Sequence, residues 1–224
     1  MSKGFTKLSD GLYGYMDTKT DEHSVVYLIV GTERAVLFDA GTGLDDVSVM
    51  VAAITSLPVT VLLSHWHHDH VGSAHLFDDV TAWHSPATEA LRSKGIDREA
   101  MAKLSGSGYA DQVGAVPPLT RLQLIDQERK IELGTMSINV LHTPGHTMDS
   151  VCLYVPEKRW LFTGDTLYDG PLYVGLPDSS VSAYRASLKR LMKLDVSRLF
   201  PGHNGFLCPI RKLHGAYQWL DEVE

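Results

Sequence analysis

Ser64-His65-Trp66-His67-His68-Asp69-His70 places four histidines and one aspartate within seven residues. Imidazole and carboxylate are the ligands that borderline divalent ions such as Zn²⁺ prefer. The run just before it, Val59-Thr60-Val61-Leu62-Leu63, is apolar and β-branched, as expected of a buried strand. The segment therefore predicts a dinuclear metal site at the carboxyl end of a strand.

Three further candidate ligands lie downstream, and each follows an apolar run and stands next to a glycine or proline that turns the chain. They are His146 in Thr143-Pro144-Gly145-His146-Thr147, Asp165 in Thr163-Gly164-Asp165-Thr166 and His203 in Pro201-Gly202-His203. The order of strand, tight turn and ligand thus occurs four times along the chain. This repetition predicts that the four segments meet at one edge of the fold.

Taken together, His-x-His-x-Asp-His, Pro-Gly-His-Thr, Gly-Asp-Thr and Pro-Gly-His resemble the metallo-β-lactamase fold superfamily. The resemblance runs from about Gly11 to His203 and includes an early strand and turn, Ala35 to Gly43, that ends in Asp-x-Gly. It implies an α/β fold, the αβ/βα four-layer sandwich of two mixed β-sheets flanked by helices. We expect residues 1–224 to form a single domain of this kind.

The resemblance also implies a division of the ligands between two metal ions. His65, His67 and His146 would hold one ion, Asp69, His70 and His203 would hold the second, and Asp165 would bridge them. The expected cofactors are two Zn²⁺, with one Fe²⁺ or Mn²⁺ as alternatives. Two cations about 3.5–4 Å apart can share a hydroxide that serves as the nucleophile near neutral pH. Asp69 is then the expected catalytic residue that orients the water or shuttles a proton.

Several neighbouring residues are open to more than one interpretation. In the superfamily's acyl-homoserine lactonases a tyrosine three residues after the bridging aspartate contacts the substrate carbonyl, so the resemblance implies a catalytic role for Tyr168; packing is the alternative. His68 is expected to face outward or to lie behind the ligands. His142 and Asp39 are either hydrogen-bond partners of the ligands or packing residues at strand ends.

The function that these residues predict is hydrolysis of a small ester, thioester or lactone by a metal-bound hydroxide. One alternative is a persulfide dioxygenase-like enzyme with a single iron on His65, His67, His146 and Asp165. β-Lactam hydrolysis is expected at most as a side activity. A metal-stabilised binding protein without turnover is a further alternative, although a missing ligand would be its usual mark.

Composition restricts the partners and the setting. The chain has 224 residues, 44% of them hydrophobic, which suffices for one large core. Its net charge of −7 and scattered basic residues argue against nucleic-acid binding, and the lack of a long apolar run argues against a membrane span. With only Cys152 and Cys208, and with no signal peptide at Met1 to Phe5, we expect a cytoplasmic monomer or homodimer that acts on a small molecule.

The hydrophobic pattern predicts helices over about 45–57, from Pro86 to about Lys94, from an Asp178 cap to about Lys193, and from Pro209 onward. The segment from about Gly95 to Pro118 is predicted to be a loop, because Gly106, Gly108 and Gly114 interrupt it. Its place in the chain suggests that it covers the site and selects the substrate.

Overall fold

Two mixed β-sheets form the centre of the computed structural model, which describes residues 4–223. The first sheet contains, side by side in chain order, β1 (Thr6–Ser9), β2 (Leu12–Met16), β3 (Val25–Val30), β4 (Ala35–Phe38), β5 (Val59–Leu62), β6 (Val80–Trp83) and β7 (Leu122–Ile125). The second contains β8 (Arg129–Glu132), β9 (Ser137–His142), β10 (Val151–Val155), β11 (Trp160–Gly164) and β12 (Arg198–Pro201), in the order β12-β11-β10-β9-β8. Antiparallel pairing from β1 to β4 changes to parallel pairing from β4 to β7, and in the second sheet only β11 and β12 are parallel.

Helices cover the outer faces of both sheets. The α-helices described are α1 (Val47–Ala52), α2 (His68–Val71), α3 (Pro86–Lys94), α4 (Arg98–Ser105), α5 (Ser107–Val113), α6 (Val181–Leu191) and α7 (Arg211–Val223), and a 3₁₀ turn spans Ala74–Leu76. Within the described residues, no helix has the length and apolar character needed to cross a lipid bilayer.

Alternation along the strands explains the layers. In β3, Val26 and Leu28 face a cluster that includes Val47, while Tyr27 and Ile29 face the cluster between the two sheets, because successive strand residues point to opposite faces. A third cluster packs α6 and α7 on the second sheet. Helix, sheet, sheet and helix thus form four layers, which confirms the predicted αβ/βα sandwich.

The predicted helix from Pro86 to about Lys94 is confirmed as α3. Ser85 and Thr88 form a capping box at its start, and Gly95, with φ 70°, follows its last residue. The prediction over 45–57 was too long, because α1 ends at Ala52 and the chain then turns.

The predicted start of the next long helix was wrong. Ser180, and not Asp178, caps α6, and its hydroxyl accepts the Ala183 N–H. The Asp178 carboxylate instead accepts a hydrogen bond of 2.7 Å from Trp66 Nε1. A carboxylate two residues upstream of the true cap was therefore recruited by a tertiary contact that the sequence pattern does not reveal.

The prediction of a loop from Gly95 to Pro118 was also wrong, because most of this segment forms α4 and α5. Gly106 and Gly114 have φ of 87° and 82° and stand at the helix ends. Met101 and Ala110 are buried in the cluster under the first sheet. The glycines therefore separate two short helices, and burial of one apolar face stabilises each helix.

Candidate metal centre

The seven predicted ligands lie at one edge of the sandwich, where strands of both sheets end. β5 leads to His65 and His67, and α2 then carries Asp69 and His70. From the second sheet, β9, β11 and β12 lead to His146, Asp165 and His203 respectively. The strand ends thus bring all seven side chains together, and all but the half-buried His67 are buried.

Glycines allow the ligand turns to approach their neighbours closely. A Cβ at Gly202 would lie 2.6 Å from Asp165 Oδ1, and one at Gly145 would lie 2.4 Å from the Tyr184 Cβ. Both distances are far below van der Waals contact, so a larger residue would displace a ligand or its turn. The Pro-Gly-His segments owe their glycines to this packing.

The side chains form two groups whose candidate ligand atoms lie within 4.8 Å of one another in each group. The first group consists of His65, His67, His146 and Asp165, and the second group consists of Asp69, His70 and His203. His146 Nε2 is 3.0 Å from His67 Nδ1 in the first, and His70 Nε2 is 3.2 Å from His203 Nε2 in the second.

Asp165 stands between the two groups. Its Oδ1 lies 3.2 Å from His70 Nε2 and 3.1 Å from His203 Nε2. Its Oδ2 lies 3.6 Å from His146 Nε2 and 4.0 Å from His65 Nε2. Oδ2 also lies 3.2 Å from His203 Nε2, so Oδ1 faces the second group and Oδ2 lies between the two groups. The carboxylate is thus near both groups, as a bridging ligand must be.

Each of four imidazoles is held by a contact of its outer nitrogen. The Nδ1 atoms lie 2.6–2.9 Å from four partners: Ser64 Oγ for His65, Asp39 Oδ2 for His70, the Tyr173 carbonyl for His146 and the Glu22 carbonyl for His203. A carbonyl oxygen only accepts, so Nδ1 of His146 and His203 must donate. In the neutral ring, the Nε2 that faces the site then carries a lone pair and no proton.

The pocket requires positive charge, because these lone pairs and two carboxylates converge in a buried space. Among the described residues, His65 Nε2, Asp69 Oδ2 and Asp165 Oδ1 are buried without a well-formed hydrogen bond. Buried anionic oxygens are costly unless a cation offsets them. Nitrogen and oxygen donors at this spacing fit divalent ions such as zinc.

The ionisation of the histidines shows the same demand for a cation. Burial lowers the pKa of His67 to about 4, which keeps that ring neutral and able to bind metal. Burial acts in the same direction on His203, but the Asp165 carboxylate outweighs it and raises the pKa of His203 to about 9. Protons and metal ions are therefore competing ways to neutralise this pocket.

Asp39 and His142, the two candidate partners of the ligands, differ in what they contact. Asp39 makes the predicted contact, since its second oxygen accepts from His70 Nδ1 at 2.8 Å. His142 does not touch the ligands: its ring stacks on Trp83 at 4.0 Å, and its Nε2 contacts the Met148 carbonyl, so that interpretation was wrong.

Tyr168 and His68 both line the cavity next to the ligands. The Tyr168 ring lies 5.1 Å from that of His203, and its hydroxyl donates a hydrogen bond of 2.5 Å to the Pro171 carbonyl. His68 is buried beside Asp69, with its Nδ1 3.6 Å from Asp69 Oδ1 and its ring 4.6 Å from the Tyr109 ring.

A cavity of about 480 Å³ opens in front of the two groups. Asp21 and Glu22, from the loop after β2, line it, as do Leu104 of α4 and Leu176 from the loop after β11. The segment that sequence analysis placed over the site thus borders it, although as a helix. The contacts of the Glu22 and Tyr173 backbone carbonyls with His203 and His146 could not be predicted from the sequence. Every residue has a backbone carbonyl, so the residue type does not indicate such a contact.

The family model described as the metallo-beta-lactamase superfamily matches residues 20–203 of the chain. The acyl-coenzyme A thioesterase MBLAC2 of Gallus gallus is 33% identical over 199 residues, which cover 80% of this chain and 71% of that protein. Its Homo sapiens counterpart is 31% identical over 225 aligned residues, covering 88% and 79%. A hydroxyacylglutathione hydrolase of Bartonella tribocorum is 31% identical over 152 residues, 64% of this chain and 48% of that protein.

Solved structures share the fold at low sequence identity. An archaeal metallo-beta-lactamase superfamily protein from Sulfolobus tokodaii superposes with a TM-score of 0.73 at 20% identity, covering 96% of this chain and 87% of its own. A metallo-beta-lactamase from Pontibacter korlensis gives a TM-score of 0.70 at 20% identity, covering 97% and 98%. At such identities the similarity shows the architecture alone.

Proposed function

The chain belongs to the metallo-β-lactamase superfamily and is a metal-dependent hydrolase, and from this premise we propose that it hydrolyses small thioesters with two divalent metal ions. The observation that carries the proposal is the position of Asp165 between two complete ligand groups. His65, His67 and His146 would hold one ion and Asp69, His70 and His203 the other, with Asp165 shared. When bound, such ions lower the pKa of a water molecule and polarise a carbonyl oxygen.

Asp69 is the proposed proton carrier. Its Oδ2 lies 3.3 Å from His70 Nε2 and 3.4 Å from His203 Nε2, while its Oδ1 faces His68. The carboxylate also lines the cavity. From this place it can orient a water molecule for attack, accept its proton and deliver that proton to the leaving thiolate, which departs as the thiol.

Thioesters are the proposed substrates because of the relatives. The two thioesterases named above align over most of their own length, and the hydroxyacylglutathione hydrolase aligns over about half of its length. A cavity of about 480 Å³ accommodates a small acyl thioester. Esters and lactones share the acyl carbon chemistry, so we propose them as slower substrates.

Zinc is the proposed metal, because all seven predicted ligands are nitrogen or carboxylate oxygen and two full groups are present. A single iron on the first group would favour the dioxygenase alternative.

Tyr168 remains a proposed catalytic residue, and its hydroxyl would have to leave the Pro171 carbonyl to reach a substrate.

The test uses Asp165→Asn together with a panel of short acyl thioesters. The variant removes a negative charge that offsets both ions, so we expect kcat/KM to fall at least about a thousandfold while the melting temperature of the metal-free protein stays within a few degrees. Asp195→Asn is the matched control, because Asp195 is exposed and precedes β12, at the opposite end of that strand from His203. Full activity of Asp165→Asn, or no thioester cleavage by the zinc-loaded wild type, would refute the proposal.

A further inference from the structure

We propose that the cavity selects thioesters that carry a positively charged group on one side of the scissile bond and an apolar group on the other. The inference rests on the proposed thioester hydrolysis and adds the charge of the substrate to it. It is carried by an uneven distribution of charge and apolar surface around the two ligand groups.

The side of the cavity next to the second group is acidic. Glu22 and Asp21 line it, and the Glu22 carbonyl accepts from His203 Nδ1 at 2.6 Å, which fixes this loop beside the ligand. Neither carboxylate forms a hydrogen bond or an ion pair with the residues that the structure describes. Two carboxylates without internal partners are therefore available to a bound cation.

A buried polar atom points to a ligand on the same side. His68 is only 8% exposed and lines the cavity. Its Nε2 has no hydrogen-bond partner among the described residues. A buried polar nitrogen is costly when unpaired, so a polar substrate group that bonds to it would be favoured here.

The side next to the first group is apolar. The Tyr173 carbonyl accepts from His146 Nδ1 at 2.7 Å, and Ser179 joins the His146 carbonyl to the Leu176 N–H. Tyr173 and Leu176 thereby line the cavity beside the first group, and the Tyr173 side chain is 57% exposed. Burial of this surface by an alkyl group is favourable.

Basic side chains are missing from the described lining of the cavity. Lys103 next to Leu104 pairs with Glu99 at 2.8 Å, and Lys212 pairs with Asp169 at 2.6 Å near the rim residue Asn204. A thiol that carries phosphates would thus meet two carboxylates and find no cationic partner except the metal ions. Such repulsion is an effective means of excluding a substrate.

Two pairs of matched thioesters test the inference. The first pair is hexanoylthiocholine and its uncharged isostere, in which carbon replaces the quaternary nitrogen. The second pair carries the trimethylammonium group, or its carbon isostere, on the acyl side and a hexyl chain on sulfur. Each pair has one shape and differs in charge. The ratio of kcat/KM within a pair, divided by the ratio of the uncatalysed hydrolysis rates of the same two thioesters, isolates the electrostatic contribution of the protein.

We expect the charged member of at least one pair to react about tenfold faster at low salt, and we expect this preference to shrink as salt screens it. In the double variant Asp21→Asn, Glu22→Gln the ratio should fall to about one, whereas Asp195→Asn should keep the wild-type ratio. Hexanoyl-coenzyme A should react at least about tenfold more slowly than the uncharged isostere in the wild type. A ratio within about twofold in both pairs, or an unchanged ratio in the double variant, would overturn the inference.

Binding separates this inference from the proposed function. Calorimetry with thioether analogues of the same pairs, which cannot be hydrolysed, should show the same preference for the charged member in the zinc-loaded protein. Tighter binding of the charged analogue without cleavage of any thioester would refute the proposed function and support the selective cavity. Cleavage of uncharged thioesters with equal binding of both analogues would support the function and refute the charge selection.

Discussion

Asp39 holds both ends of the segment that contains the candidate ligands after β5. Its Oδ1 accepts the Ser64 N–H at 2.6 Å and its Oδ2 accepts from His70 Nδ1 at 2.8 Å. The residue is buried and adopts a left-handed conformation with φ 68°. Such a contact fixes the orientation of the imidazole and raises its basicity as a ligand.

We therefore predict that Asp39→Asn weakens binding of the second metal ion roughly 10- to 100-fold. An amide oxygen can accept one of the two hydrogen bonds but carries no charge. Competition with a chromophoric chelator measures the affinity, and Asp195→Asn serves as the control. Unchanged zinc affinity would show that Asp39 has only a packing role.

Tyr168 illustrates a proposed role that depends on a change of hydrogen-bond partner. Its hydroxyl donates to the Pro171 carbonyl and so orders the loop beside His203. Burial raises its pKa well above the usual value, so the phenol keeps its proton and can act only as a neutral donor or acceptor.

For Tyr168→Phe we predict a kcat on lactones that is about tenfold lower, the value of one hydrogen bond, with a smaller loss on thioesters. The comparison of the two substrate classes in one variant cancels any general disturbance of the loop. Equal losses on both classes would mean that the hydroxyl acts only through the contact with Pro171.

Among the elements, α4 and α5 differ most from the sequence-based expectation. Three glycines favoured a loop, but only Gly106 and Gly114 have the positive φ that ends a helix, and Gly108 lies within α5. Composition alone does not distinguish a glycine that ends a helix from one inside it. The capping residue Asp97 and the buried Met101 were the signals that could have indicated a helix.

We predict opposite effects for alanine at two of these glycines. Gly106→Ala should destabilise the protein by about 1 kcal/mol, because φ 87° is unfavourable for a residue with a Cβ. Gly108→Ala should stabilise it by about 0.5–1 kcal/mol, because the residue is helical and no atom lies within 4 Å of the added Cβ. Denaturant unfolding measures both, and similar changes of the same sign would contradict this assignment of the helices.

At the scale of the whole molecule, the site joins the two halves of the sandwich. His65 to His70 follow a strand of the first sheet, whereas His146, Asp165 and His203 follow strands of the second. Each half contributes to both ligand groups or to the bridge between them. Metal ions held here would therefore link the halves, as would the core between the sheets around Phe162.

The candidate ligands could be predicted, because the apolar runs and the turn residues next to each of them are local features of sequence, whereas the four layers followed from the resemblance to the superfamily. The walls of the cavity could not be predicted. Glu22 is 181 residues from His203, and it holds that histidine through a backbone carbonyl. Asp178 reached Trp66 across 112 residues instead of capping a helix. Contacts of this kind depend on how the layers pack, and residue type does not encode them.

Elemental analysis of the purified protein tests the dinuclear site most directly. After loading with excess zinc and dialysis, the account predicts two zinc ions per chain in the wild type and fewer than two in Asp165→Asn, whose bridge is impaired. One ion or none per wild-type chain would contradict a dinuclear centre. About one iron per chain in protein purified without added metal would favour the dioxygenase alternative instead.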